Sequence, residues 1–125
     1  MTSQTITRYR QKFETELFDR VIPFWLKHSP DEENGGFFNC LDRDGTVYDT
    51  RKHIWLQGRE TWMFSKLYND VGQKPEWLHM ANLGAKFLRE KTIQPDGRVY
   101  FSMTADGKPV YLQRKIFSEC FYIMA

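Results

Sequence analysis

Two tryptophans flank an arginine at helical spacing in the middle of the chain. Trp55 precedes Arg59 by four residues and Trp62 follows it by three, so in a helix the two indoles and the guanidinium share one face. Such a face can stack on a sugar ring and donate hydrogen bonds to its oxygens. The three residues are therefore candidates for carbohydrate binding.

A structural role for Arg59 is the alternative. Apolar residues cover much of the circumference of a predicted helix over residues 52–71, so this helix should be mostly buried. A buried guanidinium stays charged and must face either an anionic neighbour or a polar cavity. Arg59 could thus be a core arginine that stacks on tryptophan and pairs with a carboxylate. Gly58 is disfavoured in a helix interior by about 1 kcal/mol relative to Ala, which indicates that a neighbouring group approaches the helix backbone closely there.

Further helices are predicted on both sides of this one. Apolar residues three and four positions apart indicate an amphipathic helix over residues 4–26, which Pro23 kinks or ends early. A third helix begins at Pro75, and a fourth begins near residue 115 or 116. The third helix carries small residues that would let another helix pack closely, at positions 81, 84 and 85.

Two Asp-Gly pairs predict turns with positive backbone dihedrals, and each lies between two strand-like runs. The predicted hairpins comprise residues 37–43 with 46–49 and residues 98–104 with 108–112. The fold class is therefore all-α with short β-hairpins.

The two hairpins also suggest an internal repeat. A shift of 62 residues superimposes the second Asp-Gly pair on the first and places Phe117 on Trp55. The same shift places Glu119 on Gln57. Each unit is then a helix, a hairpin and a second helix, as in stacked helical arrays, unless the two turns match by chance. In such an array the residues next to the hairpins line a shared mouth: Trp55, Arg59, Phe117 and Glu119.

The composition argues against two classes of partner. The 18 Lys and Arg residues nearly balance the 16 Asp and Glu residues, and no basic face recurs, so nucleic acid is not expected to bind. The first seven residues lack the apolar core of a signal peptide. No run approaches the roughly 18 apolar residues of a membrane span, so no membrane association is expected.

Neither the cysteines nor the acidic residues predict a metal site. Cys40 and Cys120 lie far apart without a metal-ligand spacing, which favours a reduced, cytosolic protein with two unpaired thiols. Residues 42–45 resemble part of a calcium loop. However, its first ligand position would be Cys40 and its twelfth Arg51, where acids are required. No metal or redox cofactor is therefore expected.

The sequence ends inside a predicted helix. Residues 116–125 begin an apolar helical segment that has no Gly, no Pro and no basic last turn at its end. This pattern predicts that residues 1–125 are the N-terminal portion of a single larger domain, truncated in its fourth helix. On its own such a chain should be inactive and poorly stable, because an array cut after its second unit leaves apolar helix faces uncovered.

With these elements in place, the chain resembles the N-acylglucosamine 2-epimerase family, also called the renin-binding protein family. Five segments carry the resemblance in the family's order and spacing: FWLKHS at 24–29, GGFFNCL at 35–41, VYD at 47–49, WLQGR at 55–59 and IFSECFY at 116–122. The last two are the most specific. The match covers the first third, approximately, of a family member.

The resemblance implies the N-terminal part of an (α/α)6 barrel, a single catalytic domain with its active site in a cleft at one end. It also implies an enzyme that interconverts N-acetylglucosamine and N-acetylmannosamine in amino sugar and sialic acid metabolism. ATP or another nucleotide would act as its activator, and the full-length protein would be a homodimer. Renin is the protein partner that the second family name implies.

The resemblance also carries over to individual residues. Arg59 falls on the family's active-site arginine, and Phe117 falls on a position where relatives place an aromatic ring facing the sugar. The remaining substrate-binding candidates belong to the same stretches of sequence: Trp55, Gln57, Trp62 and Glu119.

Inversion at C2 of such a sugar defines what Arg59 would do. The sugar ring opens, the C2 proton next to the aldehyde is removed, and a proton returns on the other face. The barrier lies in forming an enediolate, which a fixed cation stabilises more than the neutral ground state. Glu119 is expected to pair with Arg59, because a buried arginine needs a partner; its alternative role is to bind a sugar hydroxyl.

The acid and the base should be histidines, because their pKa lies near neutrality. In the family these two histidines lie beyond residue 125. The three histidines of this chain do not correspond to them and are expected to be structural or solvated: His28, His53 and His79.

Three alternatives stay open. One is another aldose enzyme on the same barrel, such as a cellobiose 2-epimerase or an aldose-ketose isomerase, although WLQGR and IFSECF favour the N-acyl sugar branch. Another is a binding protein without turnover, which would hold a protein such as renin through exposed aromatic residues on an outer helix. The third is a structural module in which Arg59 forms a core ion pair, and solvent access to Arg59 separates it from the enzyme.

Overall fold

Helices alternate with short antiparallel strands along the chain. A computed structural model describes residues 2–112 and 115–125. Its helices are α1 (Ser3–Glu16), α2 (Ile22–His28), α3 (Ile54–Lys66), α4 (Pro75–Lys91) and α5 (Phe117–Met124). Its strands are β1 (Cys40–Leu41), β2 (Val47–Asp49), β3 (Lys52–His53), β4 (Ser102–Met103) and β5 (Pro109–Tyr111). The expected helical fold with short β-hairpins is therefore confirmed.

The first predicted helix continues past its proline. Leu17–Val21 adopts π-helical geometry between α1 and α2, and the N–H of Ile22 bonds to the carbonyl of Leu17. Pro23 is the second residue of α2, which directly follows this π-helical turn. The proline is accommodated by this wider turn and does not end the helix.

The helix predicted over residues 52–71 begins two residues later than expected. Lys52 and His53 form β3, which pairs antiparallel with β4. α3 follows and continues into a π-helical turn at Leu67–Val71. The extended conformation is favoured at Lys52 because its side chain is fully buried and bonds to acceptors on neighbouring segments.

The 62-residue repeat is confirmed by the two hairpins. β4 begins 62 residues after β1, and β5 begins 62 residues after β2. Both hairpins contain an irregularity at the same place in the register. Their turn glycines have nearly equal positive φ angles, 91° at Gly45 and 87° at Gly107, and the same backbone hydrogen bond of 2.8 Å closes both turns. The hairpins are not isolated, because β3 of the first unit pairs with β4 of the second.

Two apolar clusters lie along the contact between α3 and α4. One comprises Ile22, Phe37, Phe64, Leu67, Trp77, Met80 and Ala81. The other comprises Ile54, Phe87, Leu88, Val99 and Met103. The start of α3 thus packs against the end of α4, so the two helices run antiparallel, and each cluster joins them to the loops of one unit.

Two glycines allow this packing. A Cβ added at Gly84 of α4 would lie 2.0 Å from Oγ1 of Thr61 and 2.6 Å from the ring of Phe37. A Cβ added at Gly58 of α3 would lie 2.4 Å from the carbonyl oxygen of Phe121 in α5. The close approaches predicted at both glycines are therefore confirmed.

Gly84→Ala is expected to lower the free energy of unfolding by about 1–2 kcal/mol. The intrinsic preference of a helix for Ala gains about 1 kcal/mol, but overpacking a tight core costs about 1–3 kcal/mol and more where backbone must shift. Urea denaturation of the protein measures the difference. Asn82→Ala, at an exposed position on the same helix, should stay within about 0.5 kcal/mol of wild type. A stability gain in Gly84→Ala would contradict the packing described.

Two expectations from composition can be compared with the structure. Cys40 and Cys120 are both free thiols, as expected. Within the described residues, no helix combines the length and the apolar character needed to cross a bilayer.

Candidate functional site

Arg59 lies on the exposed stripe of α3. The residues around it on the helix are buried, namely Gln57, Gly58, Glu60 and Thr61. Arg59 itself is exposed, and so are Trp62 and Lys66 at the next positions of the same helical face. None of the ion pairs within residues 2–112 and 115–125 involves Arg59. The core ion pair considered from the sequence is therefore wrong for this part of the chain, because solvent reaches the guanidinium.

A cleft of about 320 Å³ opens beside Arg59. It lies between α3 and the helix formed by α1 and α2, with an apolar wall that includes Leu17, Ile22, Trp25 and Met63. Its polar lining residues are Asn39, Arg59 and Glu60. The guanidinium is thus the charged group at the edge of a mainly apolar concavity.

The rings of Trp55 and Phe117, two of the residues predicted to line a shared mouth, lie together one helical turn before Arg59. The ring centroids of Trp55 and Phe117 are 5.6 Å apart, and Phe121 completes a three-ring cluster at 5.8 Å from Trp55. The side chain of Phe117 is 46% exposed, whereas Trp55 is half-buried. Trp55 precedes Arg59 by one helical turn, a rise of about 6 Å. An exposed ring surface and an exposed guanidinium therefore occupy neighbouring turns.

Gln57 lies beneath this surface. It is fully buried; its amide nitrogen donates to the carbonyl of Phe37 at 2.7 Å and to Oδ1 of Asn39 at 2.6 Å. Its amide oxygen accepts from the N–H of Phe37 at 2.8 Å. In this conformation Gln57 fixes α3 to the segment before β1, and its substrate-binding role stays a prediction.

Glu119, the repeat equivalent of Gln57, also bonds back to its own unit. Its Oε1 accepts from Nε of Arg98 at 3.0 Å. The expected ion pair between Glu119 and Arg59 is therefore wrong, because the loop before the second hairpin supplies a different guanidinium. Binding of a sugar hydroxyl by Glu119 stays a prediction, as does a contact of the exposed Trp62 with substrate.

Glu60 is a buried carboxyl group that the sequence reasoning missed. Its exposed fraction is 9%; Oε1 lies 2.5 Å from the hydroxyl of Ser29, and Oε2 accepts from Nδ2 of Asn39 at 3.1 Å. Burial raises its pKa to about 8, although these two hydrogen bonds oppose the shift. This shift favours the protonated form of Glu60 at neutral pH. The one sequence signal for its burial, which was not used, is its spacing from Phe64, four residues on along the buried face.

Lys52 is the second buried group that the sequence reasoning missed. Its Nζ donates to Oδ2 of Asp31 at 2.7 Å and to the carbonyls of Gly35 and Ala105 at 2.5 Å and 3.1 Å. Burial lowers the pKa of Lys52, although Asp31 opposes the shift. Burial also acts to raise the pKa of Asp31, but hydrogen bonds from Lys52 and Asn34 outweigh it and hold that pKa below its ordinary value. Lys52 thus joins β3 to the loop after α2 and to the turn of the second hairpin.

Comparison with known proteins identifies the family. The sequence profile of the family described as N-acylglucosamine 2-epimerase (GlcNAc 2-epimerase) matches residues 36–125. The chain belongs to the N-acylglucosamine 2-epimerase family. N-acylglucosamine 2-epimerase of Mus musculus is 49% identical over 126 residues, which cover 98% of this chain and 30% of that protein. Cellobiose 2-epimerase of Ruminococcus albus is 34% identical over 112 residues, which cover 88% of this chain and 28% of that protein.

Solved structures of related epimerases superimpose on this chain of the N-acylglucosamine 2-epimerase family. Cellobiose 2-epimerase of Spirochaeta thermophila superimposes with a TM-score of 0.84 at 25% identity, over 95% of this chain and 29% of that one. Because such enzymes are (α/α)6 barrels, the expectation of part of an (α/α)6 barrel is confirmed. The chain spans about 30% of the length of the curated relatives that it matches.

The three histidines of this N-acylglucosamine 2-epimerase family member differ in exposure, and their structural or solvated role stays a prediction. His28 ends α2 and packs on Phe24, with ring centroids 5.0 Å apart. His79 is exposed on α4. His53 is half-buried at the end of β3, and burial lowers its pKa. Within residues 2–112 and 115–125 no group of three or more His, Cys, Asp or Glu residues could hold a metal ion.

Proposed function

We propose that this chain supplies the oxyanion-stabilising arginine of an epimerase that interconverts N-acetylglucosamine and N-acetylmannosamine in its full-length form. One observation carries the proposal: Arg59 is exposed and forms no ion pair within the described residues, one helical turn from the rings of Trp55 and Phe117. The 49% identity to the N-acylglucosamine 2-epimerase of Mus musculus supports the choice of substrate.

The chemistry assigns a distinct role to each part of this surface. The open-chain sugar loses its C2 proton, and negative charge develops on the oxygen of the former aldehyde. Arg59 would place its positive charge and N–H donors at that oxygen, so that it binds the enediolate more strongly than the neutral sugar. The exposed ring of Phe117, supported by Trp55, would pack against the carbon skeleton. The acid and base that move the C2 proton would come from family histidines beyond residue 125.

Other properties follow from the family resemblance alone. They are a cytoplasmic location, a homodimer and activation by ATP or another nucleotide, and they stay predictions for the full-length protein.

A second candidate is a protein-binding role without turnover. α1 buries none of its residues, and its aromatic side chains Tyr9 and Phe13 are 46% and 65% exposed with ring centroids 6.3 Å apart. Exposed aromatic residues on a helix that buries none of its side chains favour contact with another protein, for which renin is the family's suggestion.

Hydrogen exchange at C2 separates these candidates. We expect the full-length protein in heavy water to incorporate deuterium at C2 of N-acetylmannosamine, and to do so faster than with cellobiose or mannose. Nuclear magnetic resonance follows the loss of the C2 proton. The 125-residue chain alone should exchange nothing, because it carries the arginine without the family's histidines. Binding of the sugar by the full-length protein without any exchange would favour the protein-binding candidate. Faster exchange with cellobiose than with N-acetylmannosamine would favour a cellobiose 2-epimerase.

A further inference from the structure

The turn of α3 that carries Arg59 is anchored on both sides of the arginine. Gln57 precedes Arg59 by two residues and bonds to Oδ1 of Asn39 at 2.6 Å. Glu60 follows Arg59 directly and accepts from Nδ2 of the same Asn39 at 3.1 Å. Asn39 therefore bridges the two anchors. Gly58, on the remaining side, packs against the backbone of α5. Arg59 is the residue of this turn that stays free to face the cleft.

The hydroxyl of Ser29 contacts two oxygen atoms, and this geometry bears on the protonation of Glu60. The hydroxyl oxygen of Ser29 lies 2.8 Å from the carbonyl oxygen of Trp25 and 2.5 Å from Oε1 of Glu60. A hydroxyl has one hydrogen, and a carbonyl oxygen can only accept. When Ser29 donates to Trp25, the hydrogen of the second contact must come from Glu60, which then acts as an O–H donor. Both contacts are satisfied together by a carboxylic acid and not by a carboxylate.

Within residues 2–112 and 115–125, no cation binds the carboxyl group of Glu60. Helix α2 contributes Ser29 and Trp25 to its contacts, and the segment before β1 contributes Asn39. On its own helix Arg59 lines the same cleft but forms no ion pair with it, and the charged residues at the end of α2, Lys27 and His28, do not contribute to the shift of its pKa. A carboxylate here would be buried with two neutral donors, which is costly.

We propose that Glu60 is a positioning residue that acts as a neutral carboxylic acid, holding Ser29 and Asn39 so that the turn between Gln57 and Glu60 presents Arg59 to the substrate. The proposal rests on the proposed function, because it takes Arg59 as the residue that stabilises the enediolate. Ionisation of Glu60 forces Ser29 to turn away from Trp25 and places a negative charge next to Arg59. The arginine is then drawn from its position at the substrate.

The decisive comparison is between Glu60→Gln and Glu60→Ala in the full-length protein. Glutamine keeps the donor and acceptor of a protonated carboxyl group but cannot ionise, whereas alanine removes both hydrogen bonds. Glu33→Gln, at an exposed loop position, is the matched control for loss of a carboxylate. The kcat and KM for N-acetylmannosamine would be measured from about pH 6 to about pH 9.5, on both sides of the Glu60 pKa of about 8.

We expect Glu60→Ala to lower kcat by about 10- to 100-fold, as misplacement of a catalytic group does. Wild type and Glu33→Gln should both lose activity at alkaline pH, with a midpoint near pH 8. Glu60→Gln should keep kcat within about threefold of wild type at pH 7 and should not show this alkaline decline. If Glu60→Ala does not fold, Glu60→Gln decides alone. An unchanged alkaline decline in Glu60→Gln, or a loss of kcat as large as in Glu60→Ala, overturns the proposal.

Thermal stability tests the neutral carboxyl group independently of activity. The unfolded chain ionises Glu60 near pH 4.5, whereas the folded protein keeps the proton up to about pH 8. Stability from this group is therefore complete below pH 4.5 and is lost as the pH rises to about 8. As the pH rises from 4.5 to about 8, the Tm of Glu60→Gln should therefore increase by about 5 °C or more relative to the Tm of wild type. If the wild-type protein shows no epimerisation, the proposed function fails. If the Tm difference between Glu60→Gln and wild type does not change with pH, the neutral carboxyl group of Glu60 is overturned as well.

Discussion

Replacing Arg59 by alanine in the full-length protein is expected to lower kcat for N-acetylmannosamine by about 100-fold or more while KM changes by less than about threefold. The side chain is exposed at the edge of the cleft and forms no ion pair within the described residues, so its charge is available to a ligand. Loss of one donor to a developing oxyanion costs about 3 kcal/mol, because the interaction forms fully only in the transition state. Deuterium incorporation at C2 measures this step directly.

Two further variants make the Arg59 result specific. Arg59→Lys keeps the positive charge but loses the planar pair of donors, so we expect it to recover part of the lost activity. Arg43→Ala removes an exposed arginine at the tip of the first hairpin and should leave kcat within about twofold of wild type. Full C2 exchange in Arg59→Ala would refute its assignment to the enediolate, and equal losses in Arg43→Ala would show that only net charge matters.

Local sequence signals predicted the elements that surround this arginine. The two Asp-Gly pairs fixed the hairpins, because a turn with positive φ depends on its own residues and on little else. The repeat predicted that Trp55 and Phe117 line the same mouth, and their rings are 5.6 Å apart. Gly58 predicted a close backbone contact, which α5 supplies. Each of these inferences used spacing within one element or one repeat.

Burial of charged groups could not be predicted in the same way. Glu60 reads as an ordinary helical glutamate, and only Ser29 and Asn39, which lie 31 and 21 residues away in sequence, make its burial tolerable. Glu119 pairs with Arg98 where the sequence suggested Arg59, because the loop before the second hairpin folds back on α5. Such contacts depend on which segments the fold brings together, and composition and periodicity do not encode that.

Lys52 gives the largest expected effect on stability. Its ammonium group is fully buried, with Asp31 at 2.7 Å and two backbone carbonyls as further acceptors. Lys52→Ala leaves the buried carboxylate of Asp31 without its cation, and breaking a buried pair in this way costs about 3–5 kcal/mol. Urea denaturation at neutral pH measures the loss. Lys66→Ala, which breaks an exposed pair with Asp70, is the matched control and should cost less than about 1 kcal/mol.

A double variant and the pH dependence test whether the unpaired carboxylate causes that loss. Lys52→Met combined with Asp31→Asn removes both charges, so it should be more stable than Lys52→Ala by about 2 kcal/mol. In wild type the pKa of Asp31 lies below its ordinary value of 3.8, so its stabilising contribution is present above that pH and is lost as the pH falls through the folded pKa. In Lys52→Ala we expect burial to raise that pKa instead, because the hydrogen bond and the charge of Lys52 are gone, so stability from Asp31 should be lost as the pH rises. The difference in free energy of unfolding between wild type and Lys52→Ala should therefore shrink on acidification toward pH 4. A difference that stays constant would mean that Lys52 stabilises the fold through packing and its two hydrogen bonds to carbonyls alone.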